Sequence, residues 1–294
     1  MTRSEPPTPP ATPASRLKLR VEQTAPVLGD PEANRAALEA TARGADADLL
    51  LFAELTLTGY SLGHRARELG LELHGSPPLS LPSQGPTVVF GLVERGEDHL
   101  TYNSAVAARG DAILAVHRKV YLPTYGTYDE GRTFARGRRP LRVFEAARGW
   151  RTGILVCEDF WHPALAYLHA LQGADLLLVL AAAPGRGLGD GHGALFSSWE
   201  SWELIARTTA LIHGMYVAVC NRVGVEDGVT FAGGSLVVDP CGAVVARAPL
   251  GVPARLDVVL ERERVARARH PFSHLRDDDA AVTLATLERI VGER

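Results

Sequence analysis

The chain has 294 residues, 46% of them hydrophobic and 22% charged, enough to bury a substantial core in one large or two small domains. A net charge of −3 and a pI near 6.4 leave no basic footprint for nucleic acid and no polybasic patch for a membrane surface. A small, neutral or mildly polar partner is expected instead.

In chain order, residues 1–15 (MTRSEPPTPPATPAS) read as a disordered Pro-rich leader without the apolar segment of a secretory signal, so a cytoplasmic protein is expected. LKLRVEQ (17–23) alternates as a half-buried strand does. GDPEANRAALEATARG (29–44) predicts a helix started by Asp30 and Pro31 and stopped by Gly44. Further strands are predicted at LLLF (49–52), TVVFGL (87–92), NSAVAA (103–108), AILAVH (112–117) and GILVC (153–157). LLLVLAA (176–182), YVAVC (216–220), SLVVD (235–239) and RLDVVL (255–260) complete about ten. Helices are predicted over 163–173 and 197–214, while residues 74–86 are too rich in proline for one. The longest strongly apolar run, LLLVLAAA (176–183), is far short of the roughly 20 residues of a membrane-spanning helix. Strands joined partly by turns and partly by helices predict a layered α/β domain of mixed sheets over 16–270. The tail, 271–294, should end in a helix resting on the body or on a partner chain. Three widely spaced cysteines, Cys157, Cys220 and Cys241, with no C-x-x-C, argue against a disulfide framework or a zinc site.

Three reactive groups stand at strand ends, where the chemistry of open α/β sheets collects. LLLFAE ends on Glu54, AILAVHRK on Lys119 and RTGILVC on Cys157. Lys119 is unusual in its own right: of 31 basic residues only Lys18 and Lys119 are lysines. A compact ammonium fits a narrow site that a forked guanidinium would not. If the three converge, the carboxylate can take the thiol proton while the ammonium stabilises charge developing on a carbonyl or nitrile, an effect worth roughly 3 to 4 kcal/mol per donor. Taken singly, each has a plainer reading: Glu54 as a solvated loop residue, Lys119 as a surface charge, Cys157 as a buried small hydrophobe. Cys220 and Cys241 keep that last reading.

Together, FAELTLTGY (52–60), HRKVYLPTYGTYDEGRTF (117–134) and GILVCEDFWHP (153–163) resemble the three signature blocks of the nitrilase, or carbon–nitrogen hydrolase, superfamily. VEQTAPVLGDPEANRAAL, TYNSAVAARGD and NRVGVEDGVTFAGGSLVVDPCGAVVARA extend the resemblance from about residue 17 to 260. It implies a four-layer αββα sandwich with two mixed β-sheets, assembled at least as a homodimer. It also implies Glu54 as general base, Lys119 as oxyanion cation, Cys157 as nucleophile and the Glu158 N–H as second oxyanion donor, with Glu130 beside the lysine. No metal and no organic cofactor is implied. Ala53 departs from the family's usual proline.

The C-E-D-x-W run at 157–161, with L-T-G-Y upstream, resembles the glutaminase and amidase branch of that family more than its true nitrilases. A free-standing amidohydrolase acting on a small amide through a thioester is expected, with Tyr60, Tyr125, Glu158 and Trp161 contacting substrate. Asp159 and His162 could contact an amine or a helix end. An N-carbamoyl amino acid hydrolase, a nitrilase, or a subunit passing ammonia to a separate synthetase are the alternatives.

Overall fold

The computed structural model describes residues 15–126, 128–185, 198–271 and 274–293. The leader, residues 1–14, lies outside the described residues. Alternation in Arg16–Gln23 (β1) buries Leu17, Leu19 and Val21. In the helix Pro31–Arg43 (α1), the Asp30 side chain accepts from the Ala33 N–H at 3.0 Å, and the Gly44 N–H returns to the Ala40 carbonyl at 3.3 Å. The chain continues through Leu49–Phe52 (β2), Ala66–Leu69 (α2), Thr87–Arg95 (β3), Thr101–Arg109 (β4), Ala112–Arg118 (β5), Glu130–Thr133 (α3), Phe144–Ala147 (β6) and Trp150–Val156 (β7). It goes on with Pro163–Leu171 (α4), Leu176–Ala181 (β8), Ser198–His213 (α5), Tyr216–Asn221 (β9), Val223–Glu226 (β10), Val229–Ala232 (β11) and Leu236–Val238 (β12). Val244–Arg247 (β13), Ala254–Glu261 (β14), Arg262–Arg269 (α6) and Ala280–Gly292 (α7) follow. No helix stands over 74–86.

Two six-stranded sheets result, in the orders β14-β1-β2-β3-β4-β5 and β13-β12-β9-β8-β7-β6, with β10-β11 as a separate hairpin. Both are mixed: β1-β2-β3 and β7-β8-β9 are parallel and the remaining pairs antiparallel. The sheets pack face to face. Leu19, Leu49, Leu51 and Val89 of the first share one core with Val156, Leu177, Val179 and Val217 of the second. The period-2 geometry of β2 sends Leu50 and Phe52 the other way, onto Leu38 and Ala42 of α1. On the far face of the second sheet, Leu165, Ala166, Ala206 and Ala210 bring α4 and α5 into the core. The layers are therefore helix, sheet, sheet, helix.

Four strands, β6, β10, β11 and β13, the one-turn helices α2 and α3, and helix α6 were not expected from sequence. Of the helix RERVARAR only Val265 is buried, so it offers no apolar stripe to recognise. The tail helix α7 forms behind Asp279, whose side chain accepts from the Ala281 and Val282 N–H groups, but none of its residues is buried. Its contact with the body is polar: the Tyr167 hydroxyl of α4 donates to Asp278 at 2.6 Å, just before the helix, and hydrogen-bonds with Thr283 in its first turn.

Candidate active site

The loop ends of β2, β5, β7 and β8 open at one place between the two sheets. Glu54 stands two residues past the end of β2 and is fully buried. Its Oε1 accepts from Lys119 Nζ at 2.8 Å and Asn103 Nδ2 at 2.7 Å, and its Oε2 from the Ala182 N–H at 2.9 Å. The next residue, Leu55, has φ +48°, which turns the chain away at once. Gly91 on β3 makes room for that turn: a Cβ there would overlap the Leu55 amide nitrogen and lie 2.8 Å from the Glu54 carbonyl carbon.

Lys119, one residue past β5, is fully buried and donates to both Glu54 and Glu130 Oε1, the latter at 2.7 Å. Its own backbone is fixed on both sides, N–H to the Asn103 carbonyl and carbonyl to the Gly137 N–H, each at 2.8 Å. Burial opposes its charge, but Glu54 and then Glu130 outweigh that and hold the ammonium well above its usual range. One nitrogen wedged between two carboxylates with no solvent is a place for lysine and not for a planar fork.

Glu130 opens α3 and also accepts from the Tyr60 hydroxyl at 2.5 Å. Burial pushes its carboxyl up to about 7 against the pull of Lys119, with the charge of Glu54 adding to the rise. Tyr60 is held by its backbone: its N–H and that of Ser61 donate to Glu226 Oε2 at 2.8 and 3.0 Å. Glu226 Oε1 lies 2.5 Å from Arg222 Nη2 in an almost fully buried ion pair. Nothing in the sequence alone joined Asn103, Ala182, Arg222 or Glu226 to the site. A polar Asn103 inside the apolar strand TYNSAVAA was the one available signal.

Cys157 begins the 3₁₀ turn Cys157–Trp161 after β7, with φ +46°. A non-glycine residue in the left-handed region is a strained arrangement of the kind that clusters at functional sites. Burial raises its thiol well above the usual range and the charge of Glu54 raises it further, while Lys119 pulls it down. Glu130 adds to the rise and the Ala182 N–H to the lowering. The thiol therefore stands within the fields of both Glu54 and Lys119, which act on it in opposite directions.

The expected substrate-contact residues separate. Tyr60 and Glu130 line a cavity of about 200 Å³ with Leu62, Tyr128, Phe134 and Phe231. Tyr125 is half exposed and donates to Glu158 Oε2 at 2.7 Å. Trp161 packs edge-on against Trp202, its ring centroid 5.8 Å away, and is not among the residues lining that cavity. Asp159 meets a helix end, its Oδ2 accepting from the N–H of Val156, the N-cap of the 3₁₀ turn Cys157–Trp161, at 3.3 Å; it is fully buried and faces β5. His162 stacks on Tyr121 just before α4. Cys220 is buried and donates to the Glu22 carbonyl, but Cys241 is exposed, because it stands in the turn between β12 and β13 and not in a strand. Among the described residues no group of His, Cys, Asp and Glu could hold a metal ion, and no helix is long and apolar enough to cross a membrane.

A sequence profile of the carbon-nitrogen hydrolase family matches residues 18–269. The chain belongs to the carbon-nitrogen hydrolase family. Within that family it is 34% identical over 240 residues to the glutamine-dependent NAD(+) synthetase of Thermotoga maritima, covering 78% of this chain and 39% of that protein. The chain thus spans only about two fifths of the length of that synthetase. It is 31% identical over 269 residues to an (R)-stereoselective amidase of Pseudomonas sp., covering 89% of this chain and 91% of the amidase. Among solved structures, a Nesterenkonia AN1 amidase of the nitrilase superfamily superposes with a TM-score of 0.71 at 25% identity, covering 93% of this chain and 98% of that one. For this carbon-nitrogen hydrolase, the four-layer sandwich that the family resemblance implied is the fold observed, and its structural relatives share it.

Proposed function

We propose that the chain is a cysteine-dependent amidase acting on small amides through a thioester. The observation that carries this reading is the Lys119 ammonium, buried between the Glu54 and Glu130 carboxylates and acting on the Cys157 thiol. The Cys157 sulfur attacks the amide carbonyl carbon as its proton passes to Glu54. Negative charge on the carbonyl oxygen is met by Lys119 and the Glu158 N–H. As the C–N bond breaks, the protonated Glu54 returns its proton to the leaving nitrogen, which departs as ammonia or an amine. Water, deprotonated by Glu54, then cleaves the thioester to release a carboxylic acid and restore the thiol. Glu130, steadied by Tyr60, keeps Lys119 charged and aimed. The cavity of about 200 Å³, walled by Tyr60, Leu62, Phe134 and Phe231, meets this group of residues through Glu130, which lines it and bonds Lys119, and it is the proposed approach of a short substrate.

The identity with glutamine-dependent NAD(+) synthetases favours a second reading, in which the chain hydrolyses glutamine and supplies ammonia to a separate synthetase. Ammonia release from propionamide, glutamine, an N-carbamoyl amino acid and propionitrile, with Cys157→Ala alongside, separates the two. Turnover of propionamide supports the first and of glutamine alone the second; no turnover anywhere sinks both. All three cysteines are free, which suits a reducing, cytoplasmic setting. A second copy of the chain is the proposed partner of the outer helices, where Leu204, Leu211 and Ile212 of α5 and every residue of α7 lack cover. A cavity of about 1050 Å³ lined by Leu211, Ile212 and Leu275 adjoins them.

A further inference from the structure

Lys119 and Cys157 stand on different sheets, one at the end of β5 and the other at the end of β7. Sheet-on-sheet packing through apolar side chains tolerates small slides, yet an oxyanion site needs its cation and nucleophile fixed to within a fraction of an ångström. One side chain bridges the two. Asp159 Oδ1 accepts from the Val120 and Tyr121 N–H groups, each at 2.9 Å, and so grips the two residues directly after Lys119. Its Oδ2 accepts from the Val156 N–H at 3.3 Å, the residue directly before Cys157, and lies 2.7 Å from Nε2 of His117, two residues before Lys119. The carboxylate is fully buried.

We infer that Asp159 is a positioning residue: a clasp across the two sheets that sets the placement of the Lys119 ammonium relative to the Cys157 sulfur. The left-handed Cys157 is part of the device, since the tight turn it begins sends Glu158 towards Tyr125 and Asp159 back between the strands. The inference rests on the catalytic reading of Lys119 and Cys157, but it is tested without turnover. The groups facing Cys157 are Glu54, Lys119, Glu130 and Tyr60, and those facing Asp159 are His117 and His169. Lys119 and the Ala182 N–H both lower the thiol, so a slack clasp that lets Lys119 retreat moves thiolate formation to higher pH.

The experiment follows iodoacetamide alkylation of the Cys157 peptide across pH by mass spectrometry, with exposed Cys241 as the internal reference. Asp159→Ala removes both arms of the clasp. Its Cys157 alkylation profile should move to higher pH with Cys241 unchanged, and kcat on the best amide should fall about 10²-fold with KM changed far less. Asp159→Asn keeps an acceptor for Val120 and Tyr121 but has none left for Val156, so a smaller displacement and a loss of about tenfold in kcat are expected. Asp175→Ala is the control for a lost buried carboxylate: Asp175 pairs with Arg262 and Arg269 at the opposite end of β8. It should lower the melting temperature and leave the Cys157 profile where it was. If Asp159→Ala does not fold, Asp159→Asn decides alone. A parent-like alkylation profile in Asp159→Asn, or an equal displacement in Asp175→Ala, overturns the inference. A displaced profile in a chain that turns over no amide would leave the clasp standing and remove the amidase reading instead.

Discussion

Lys119→Arg keeps the charge and changes only its shape, so it isolates fit. The parent nitrogen lies 2.8 Å from Glu54 and 2.7 Å from Glu130 with no exposed surface. Arginine brings a rigid guanidinium plane and more heavy atoms into that space, and overpacking of this kind costs about 1–3 kcal/mol. For a chain of this size each kcal/mol lowers the melting temperature by about 2–4 °C. The chemistry should suffer more than the fold. A guanidinium that reaches both carboxylates points its remaining donors away from the position of the ammonium. Loss of one aimed oxyanion donor costs about 10²–10³ in rate, and displacement of Glu54 or Glu130 adds to it. The expected result is a kcat lower by about 10³, a nearly unchanged KM and a folded chain, from steady-state ammonia release and a thermal melt. An arginine variant within threefold of the parent kcat would refute the argument that this site demands a compact cation.

Other outcomes follow from the same geometry. Gly91→Ala sets a Cβ against the backbone of Glu54 and Leu55, which cannot rotate aside; it should cost about 1–3 kcal/mol by urea titration and abolish turnover through Glu54. Arg222→Met leaves Glu226 buried without its partner, and about 3–5 kcal/mol should be lost; the double variant with Glu226→Gln should recover part of it. Glu130, at about 7 against 4.5 unfolded, binds its proton in the folded chain where the unfolded chain has released it. Its contribution is full below about 4.5 and is lost as pH rises through about 7, so melting temperatures of Glu130→Gln should lack that decline. His169 has the opposite sign: burial holds it at about 4 against 6.5, so its contribution is present above 6.5 and lost as pH falls through about 4. His169→Phe should flatten that acid limb. Removing α7 should convert a dimer to monomers in light scattering if a second copy covers that helix, and leave the mass ratio unchanged if nothing does.

Much of the candidate site was legible because short apolar runs end abruptly on reactive groups: LLLFAE and GILVC each mark a buried strand meeting a loop, whereas AILAVHRK runs along the edge strand β5, which buries none of its residues before the chain turns inward at Lys119. Helix α1 was equally plain, since Asp30, Pro31 and Gly44 each act locally. What stayed hidden depends on direction, not on spacing. Asp159 and Glu158 are neighbours in the chain, and only the φ of Cys157 decides which faces the strands and which faces Tyr125. Trp161 read as a pocket wall because an aromatic near a nucleophile can serve either purpose, and Trp202, 41 positions on, claims it. The hairpin β10-β11 was missed although Asp227 and Gly228, with φ +47° and +77°, form the two-residue turn that an Asp-Gly pair signals between short strands. Edge strands β6 and β13, four residues each and half exposed, carry too little pattern to be seen alone.

The central claim, that Cys157 carries the acyl group between the two halves of the reaction, is tested most directly by quenching the chain with acid during amide turnover and weighing its peptides. The account predicts a mass increase equal to the acyl group on the peptide holding Cys157, lost on hydroxylamine treatment and absent from Cys157→Ala. Turnover that persists in Cys157→Ala, or an adduct carried by Cys220 or Cys241 instead, would contradict it.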